Sequence, residues 1–88
     1  VEEAMPIDRS MIVEKVKTII LDQLPNVEDH DLEDMSQTLE SRGADSYDGI
    51  EIIVALEETF GILITTEQEE KLRTVQDAVD LVDGMVNA

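Results

Sequence analysis

The stretch Gly43-Ala44-Asp45-Ser46-Tyr47-Asp48-Gly49-Ile50-Glu51-Ile52-Ile53-Val54-Ala55-Leu56-Glu57-Glu58-Thr59-Phe60-Gly61 reads as a helix from its cap to its stop. Asp45 is a favoured N-cap residue, and Asp48, at the third helical position, can return a bond to the cap's backbone. A helix is therefore predicted over Ser46–Phe60. Ile52, Ile53, Leu56 and Phe60 form its buried stripe. Gly61 stands where helices commonly end. Tyr47, Ile50, Glu51, Val54, Glu57 and Glu58 are linked by helical steps of three and four and lie away from that stripe. Apolar side chains mixed with carboxylates on an exposed face suit docking to a partner; the plainer reading is a solvated acidic face.

Outward from this helix, the chain alternates helical periodicity with connectors. Upstream, Ile12, Val16, Ile19, Ile20 and Leu24 make one apolar stripe, which predicts a helix from near Ser10 to near Leu24. Pro25 stops it, because the residue before proline is pushed out of the helical region. Residues 25–45 form a long connection, and such loops are usually functional or locally structured. Leu32, Met35 and Leu39 should fold back over the bundle, and Arg42 with Gly43 should turn the chain into the next helix.

Downstream, Ile62 to Ile64 is expected to be a buried connector, since an isolated strand has nothing to pair with. A short third helix is predicted with Thr66 as cap and Glu69 reciprocating, ending near Leu72. A fourth begins after Thr74, with Asp77 three residues on and Val75, Ala78, Val79, Val82 and Val86 on its apolar face. Gly84 should shorten it. The expected fold is all-α: a four-helix bundle with three longer helices, one short helix and a long loop between the first two. Its interior would hold Ile12, Val16, Ile20, Ile53, Leu56, Phe60, Ile64, Leu72, Val75 and Val79. Residues 1–9 are expected to be an unstructured lead.

Composition narrows the function. Twenty-two acidic residues against six basic ones give a formal charge of −16 in 88 residues. Nucleic acid is an unfavourable partner, because phosphate binding needs Lys and Arg. An anionic membrane surface is unfavourable for the same reason, and no apolar run approaches the roughly 20 residues of a membrane span. Proteins with basic patches are the fitting partners. Self-repulsion should make the fold salt-sensitive. There is no cysteine, so neither a disulfide nor a thiolate metal site is available, and the only aromatic residues are Tyr47 and Phe60. The core must be aliphatic. With no visible secretory signal, a cytoplasmic monomer is expected.

Ser46 is the chemically suggestive residue. It sits in a helix's first turn, where amides lack intrahelical partners and the dipole is positive. A phosphodiester on its oxygen would lie where helices bind phosphate. A nucleophilic role does not suit it: His30, in the acidic loop, is the only histidine, and no oxyanion arrangement is evident. On local grounds alone, a serine here is ordinarily a cap or a solvated residue.

The longer pattern adds to this. Gly43-Ala44-Asp45-Ser46, followed by Ile50 to Gly61, resembles the attachment motif and second helix of acyl carrier proteins. Glu69 to Val82 resembles that family's third helix and the entry to its fourth, and Glu14 to Ile20 with Gln23-Leu24 resembles its first. The resemblance covers about residues 11–86 and implies that residues 10–88 are a carrier domain. It implies that Ser46 carries a covalent 4'-phosphopantetheine, attached by a phosphopantetheinyl transferase from coenzyme A with magnesium. The arm's thiol would hold acyl intermediates as thioesters, which accounts for thioester chemistry without cysteine. It implies a carrier that is not an enzyme, with no catalytic residue and no resident metal. Asp45, Tyr47, Asp48, Ile50, Glu51, Val54, Glu57 and Glu58 would meet the basic patches of acyl-loading, condensing and acyl-transfer enzymes. An acyl chain could also slip between the helices, although the same aliphatic residues are needed simply to fold.

Tyr47 stands where leucine is more usual in fatty-acid carriers, and Arg42 where an apolar residue is common. Gly49 costs a helix interior about 1 kcal/mol relative to alanine; it could loosen the first turn or let a neighbouring backbone approach. Fatty-acid, polyketide and specialised-lipid synthesis all stay open as the pathway. Two other classes compete with this reading. An acidic protein- or calcium-binding module would use Glu28, Asp29, Asp31, Glu33 and Asp34, but no stretch has the alternating ligands, central glycine and closing glutamate of a calcium loop. A small enzyme would need Asp45 with Asp48, or Glu57 with Glu58, as paired acids, and carboxylates on an exposed helix are usually only solvated.

Overall fold

Asp8, in extended conformation, precedes the first helix as its N-cap, and the computed structural model describes residues 8–87, the Arg42 side chain excepted. Residues 1–7 of the expected lead, and Ala88, lie outside the described residues. The element order is α1 (Arg9–Gln23), a 3₁₀ turn (Asp29–Leu32), a second 3₁₀ turn (Glu40–Arg42), α2 (Ser46–Phe60), α3 (Thr66–Glu70) and α4 (Val75–Val86). The expected all-α architecture, with three longer helices and one short one, is the one found.

Packing follows the apolar stripes. Ile12, Val16 and Ile20 of α1 are buried against α4, which contributes Val75, Ala78, Val79 and Val82, and against α2, which contributes Ile52 and Leu56. The core is wholly aliphatic, as a chain with so few aromatic residues requires. Ile53, Phe60 and Leu72, expected inside, are only half-buried and pack around the core. Leu24, Val27 and Leu32 complete it from the α1 end and the loop. Val27 reaches the core through a tight turn, its N–H donating to the Leu24 carbonyl at 3.0 Å.

The long connection is structured. Glu28 and Asp31 form a reciprocal cap on the first 3₁₀ turn, which delivers Leu32 inward. Thr38 and Thr74 then form an isolated antiparallel bridge. The Leu39 N–H donates to the Arg73 carbonyl at 2.9 Å, and the Gln76 N–H to the Met35 carbonyl at 3.0 Å. The loop is thereby strapped to the junction of α3 and α4, with Met35 and Leu39 against the core. Gly43, at φ 99°, makes the left-handed turn into α2, a conformation that penalises side chains with a Cβ.

Four expectations are corrected. The unstructured lead does not extend through residue 9: Arg9 is the first residue of α1 and is fixed by Asp83 at 2.7 Å and Asp80 at 2.5 Å, so α1 begins clamped to α4. The cap of α3 is Thr65 with Gln68, not Thr66 with Glu69, and the helix ends at Glu70. Both frames satisfy the capping-box spacing; the earlier one leaves Ile64 just ahead of the cap and buried. The 62–64 connector is not uniformly buried. Ile64 is inside, Ile62 half-buried and Leu63 81% exposed, as extended backbone sends successive side chains to opposite sides. Gly84 does not shorten α4, which continues to Val86.

Candidate functional site

Ser46 is the first residue of α2 and is exposed. The platform below it is built by the two neighbouring aspartates. Asp45 Oδ1 accepts the Asp48 N–H at 2.9 Å, and Asp48 Oδ2 accepts the Asp45 N–H at 3.2 Å. Asp48 Oδ1 also accepts from Gln23 Nε2 at 3.2 Å, which ties the start of α2 to the end of α1. That bond from Gln23, then those from Asp45, hold the Asp48 carboxyl below its ordinary range. Asp48 thus faces α1 and supports the helix start.

Two hollows meet beside Ser46. The first, about 250 Å³, is lined by Ile50, Ile52, Ile53 and Leu56 of α2, by Glu69, Glu70 and Leu72, and by Thr74 and Ala78. Its wall is mainly aliphatic. The second, about 260 Å³, is edged by Thr38, Glu40, Ala44, Asp45 and Arg73. Leu39, Ser46, Gly49, Glu70 and Leu72 line both. Sequence reasoning placed Ile53, Leu56 and Leu72 in the interior but did not single out Leu39, Gly49, Glu70, Thr74 or Ala78 as neighbours of Ser46. The spacing Ser46, Gly49, Ile53, Leu56, in steps of three and four, carried part of that signal.

The six α2 residues singled out as a docking face separate into three settings. Tyr47 is 65% exposed, Ile50 56% and Val54 40%, and Ile50 also lines the aliphatic hollow. Glu51, Val54 and Glu58 border a groove against α1, opposite Ile19, Asp22 and Gln23. Glu57 turns the other way, and its Oε2 accepts the Ile64 N–H at 2.8 Å. Gly49 sits in the open, where an added Cβ would meet nothing within 4 Å; no neighbouring backbone approaches it, contrary to one of the two reasons considered for it.

The residues considered for other chemistry stay apart from Ser46. His30 is exposed in the first 3₁₀ turn, 3.4 Å from Glu28 and 3.5 Å from Asp31. Glu33 and Asp29 are exposed on the same loop. Among the described residues no group of three His, Asp or Glu side chains is placed to hold a metal ion, and no helix is long and apolar enough to cross a membrane.

A helix-start serine at the junction of a polar-edged groove and an aliphatic hollow suits an attachment point for a long arm with an apolar cargo. The sequence matches the family described as "Phosphopantetheine attachment site" over residues 14–82. It is 44% identical over 81 residues to an acyl carrier protein of Thermosynechococcus vestitus, covering 92% of this chain and 99% of that protein. The chain belongs to the acyl carrier protein family. Its fold superposes on the crystal structure of an acyl carrier protein from Thermotoga maritima with a TM-score of 0.72 and 28% identity, over 90% of this chain and 91% of that one.

Membership of this family makes the chain an acyl-carrying protein with a phosphopantetheine attachment domain, and a carrier instead of an enzyme. It works with a phosphopantetheinyl transferase and with acyl-handling enzymes. The arm supplies a thiol that a chain without cysteine cannot. The residues present fit such a group: an accessible hydroxyl at a helix start, with a groove and a hollow leading from it.

Proposed function

We propose that Ser46 is the residue that bears the phosphopantetheine arm, and that the chain holds acyl intermediates there for fatty-acid, polyketide or specialised-lipid synthesis. The observation that carries this is the position of Ser46, exposed at the first turn of α2 and opening on both hollows. The turn's amides and the helix dipole favour a phosphodiester at that oxygen. The groove edged by Thr38, Glu40, Asp45 and Arg73 offers hydrogen-bonding partners to an amide-rich arm, and the aliphatic hollow offers burial to an acyl chain.

The exposed Tyr47, Ile50 and Val54, with Glu51 and Glu58 beside them, form the proposed docking face for the transferase and for acyl-loading, condensing and acyl-transfer enzymes with basic patches. Asp45 and Asp48 serve it indirectly, by setting the helix start, and Glu57 does so by holding the connector after α2 through Ile64. The charge of −16 supports this, since opposite fields steer encounter. It also keeps copies apart, which favours a monomer. The proposed compartment is the cytoplasm, where coenzyme A is at hand for loading.

The test is intact mass before and after incubation with a broad-specificity phosphopantetheinyl transferase, coenzyme A and magnesium, beside Ser46→Ala. The expected result is a gain of one phosphopantetheine in the wild type and none in the variant. No gain in folded protein that did not already carry the arm would remove the assignment and bring forward an acidic protein- or calcium-binding module.

A further inference from the structure

Gly49 has no structural reason to be glycine. Its backbone is ordinary helix, since the glycines with positive φ are Gly43 and Gly61. Nothing crowds it either, as a Cβ built there meets no atom within 4 Å. Glycine nevertheless weakens a helix interior relative to alanine, so the residue is unfavourable locally with no packing return.

Its position supplies a different reason. Ser46, Gly49, Ile53 and Leu56 follow one another in steps of three and four, so they share one stripe of α2. All four line the aliphatic hollow, and Ser46 and Gly49 also line the polar-edged groove. Gly49 therefore stands at the boundary between the two, one turn beyond the serine. Leu39 from the loop and Leu72 from beyond α3 face the same boundary. A Cβ at position 49 would enter open space at this boundary, meeting no atom within 4 Å.

We propose that Gly49 is a specificity-determining residue: its missing side chain is the doorway through which an acyl group on the Ser46 arm crosses from the groove into the aliphatic hollow. This rests on attachment at Ser46. The doorway needs no movement of α3 to open, because the space already exists. It favours acyl groups that carry bulk close to the thioester, the part that must pass position 49 last and closest to the helix. Filling the doorway should strengthen the helix and weaken sequestration, two effects of opposite sign that a purely structural role for Gly49 would not produce.

The experiment uses the full chain in two loaded forms, made by the transferase from coenzyme A and from octanoyl-coenzyme A and verified by intact mass, for wild type, Gly49→Ala and Gly49→Val. Two quantities are read: the rise in Tm from the arm-only to the octanoyl form, and the rate at which hydroxylamine cleaves the thioester. In the wild type the octanoyl form should melt higher and react more slowly than free octanoyl-pantetheine. Gly49→Ala should raise the Tm of the arm-only form while reducing the octanoyl increment. Gly49→Val should reduce that increment to less than half and speed cleavage several-fold. An equal increment and an equal cleavage rate in all three proteins, each with the mass gain present, would overturn the doorway alone; absence of the mass gain would overturn attachment at Ser46 and the doorway with it.

Discussion

The Glu57 carboxylate accepts the Ile64 backbone N–H at 2.8 Å and so joins the last turn of α2 to the connector before α3. The bond spans the left-handed Gly61 and fixes the point from which α3 departs. α3 needs this, because none of its residues is buried. Its other restraint is the strap at Thr38 and Thr74 with the Leu39–Arg73 bond. Removing the acceptor leaves a part-buried amide unsatisfied. A hydrogen bond to a charged group is worth roughly 1.5–3 kcal/mol, and partial exposure of Glu57 puts the expected loss at the low end. Glu57→Ala should therefore lower stability in urea by about 1.5 kcal/mol, and Glu57→Gln, which keeps an acceptor, by less. Hydrogen exchange at the Ile64 amide should quicken in the alanine variant; unchanged protection there would show that the bond is not formed in solution.

Acid sensitivity follows from three carboxyls. The bond from Gln23 depresses Asp48; the bond from Arg9 depresses Asp80; bonds from Asn87 and then Arg9 depress Asp83. A group whose folded pKa lies below its unfolded one stabilises the fold above the unfolded value and loses that contribution as pH falls through the folded value. The ordinary aspartate value is about 3.9, so this loss belongs below about pH 4. The net charge acts oppositely at higher pH, because protonating the other carboxylates relieves self-repulsion. Tm should rise on acidification from neutral pH, pass a maximum and fall steeply on the acid side. Arg9→Gln should make that acid limb shallower, since Asp80 and Asp83 lose the partner they share. A Tm that falls steadily from neutral pH downward would contradict the account.

Salt tests the same repulsion from another direction. The Debye length shrinks from about 30 Å at 0.01 M to about 8 Å at 0.15 M ionic strength. With twenty-two acidic and six basic residues, screening should relieve more repulsion than attraction, and the Arg9 fork is the main ion pair between longer helices among the described residues. Tm should climb with sodium chloride, and a smaller concentration of magnesium should match it. A flat series would mean that the charge is already dispersed enough not to matter.

The helices were legible because their signals are local. Asp45 with Asp48 and Thr74 with Asp77 are reciprocal caps at sequence spacing, and the structure forms both. The aliphatic stripes of α1 and α4 were legible for the same reason. What escaped was long-range or degenerate. The Thr38–Thr74 strap and the Arg9 fork join residues distant in sequence, and no pattern within either segment announces them. Thr65 and Thr66 offer equivalent capping frames, and only the burial of Ile64 separates them. Ser46 stood out by its helix position and by the resemblance around it, whereas the groove beside it depends on where Leu39, Glu70 and Leu72 arrive in space.

Gly84 offers a test of pure helix propensity. It is exposed within α4, and a Cβ there would meet no atom within 4 Å. Gly→Ala at a compatible site stabilises by about 0.4–1 kcal/mol, largely by restricting the unfolded chain. Gly84→Ala should therefore raise stability by roughly half a kcal/mol, since the position lies near the helix end where fraying dilutes the gain. Urea denaturation at unchanged m-value is the check. A destabilised variant would indicate that α4 makes a close contact there which the structure does not contain.

The last prediction concerns the exposed carboxylates. Glu58 is exposed and Glu51 half-exposed at the α1–α2 groove, near Val54, and neither takes part in the caps of α2. Charge reversal there should therefore spare the fold and even relieve some repulsion. Glu51→Lys and Glu58→Lys should keep the helical circular-dichroism signal and the wild-type Tm or better. They should slow loading by a phosphopantetheinyl transferase with a basic docking patch, through a higher KM more than a lower kcat, because steering acts on encounter. The penalty should shrink as salt is added, since the same screening that weakens the wild-type attraction weakens the variants' repulsion. Exposed apolar neighbours separate steering from contact: Val54→Ser should raise KM by an amount that salt does not erase. Loading kinetics at two ionic strengths for the three variants decide the matter, and equal KM values for all of them would move the docking face off this side of α2.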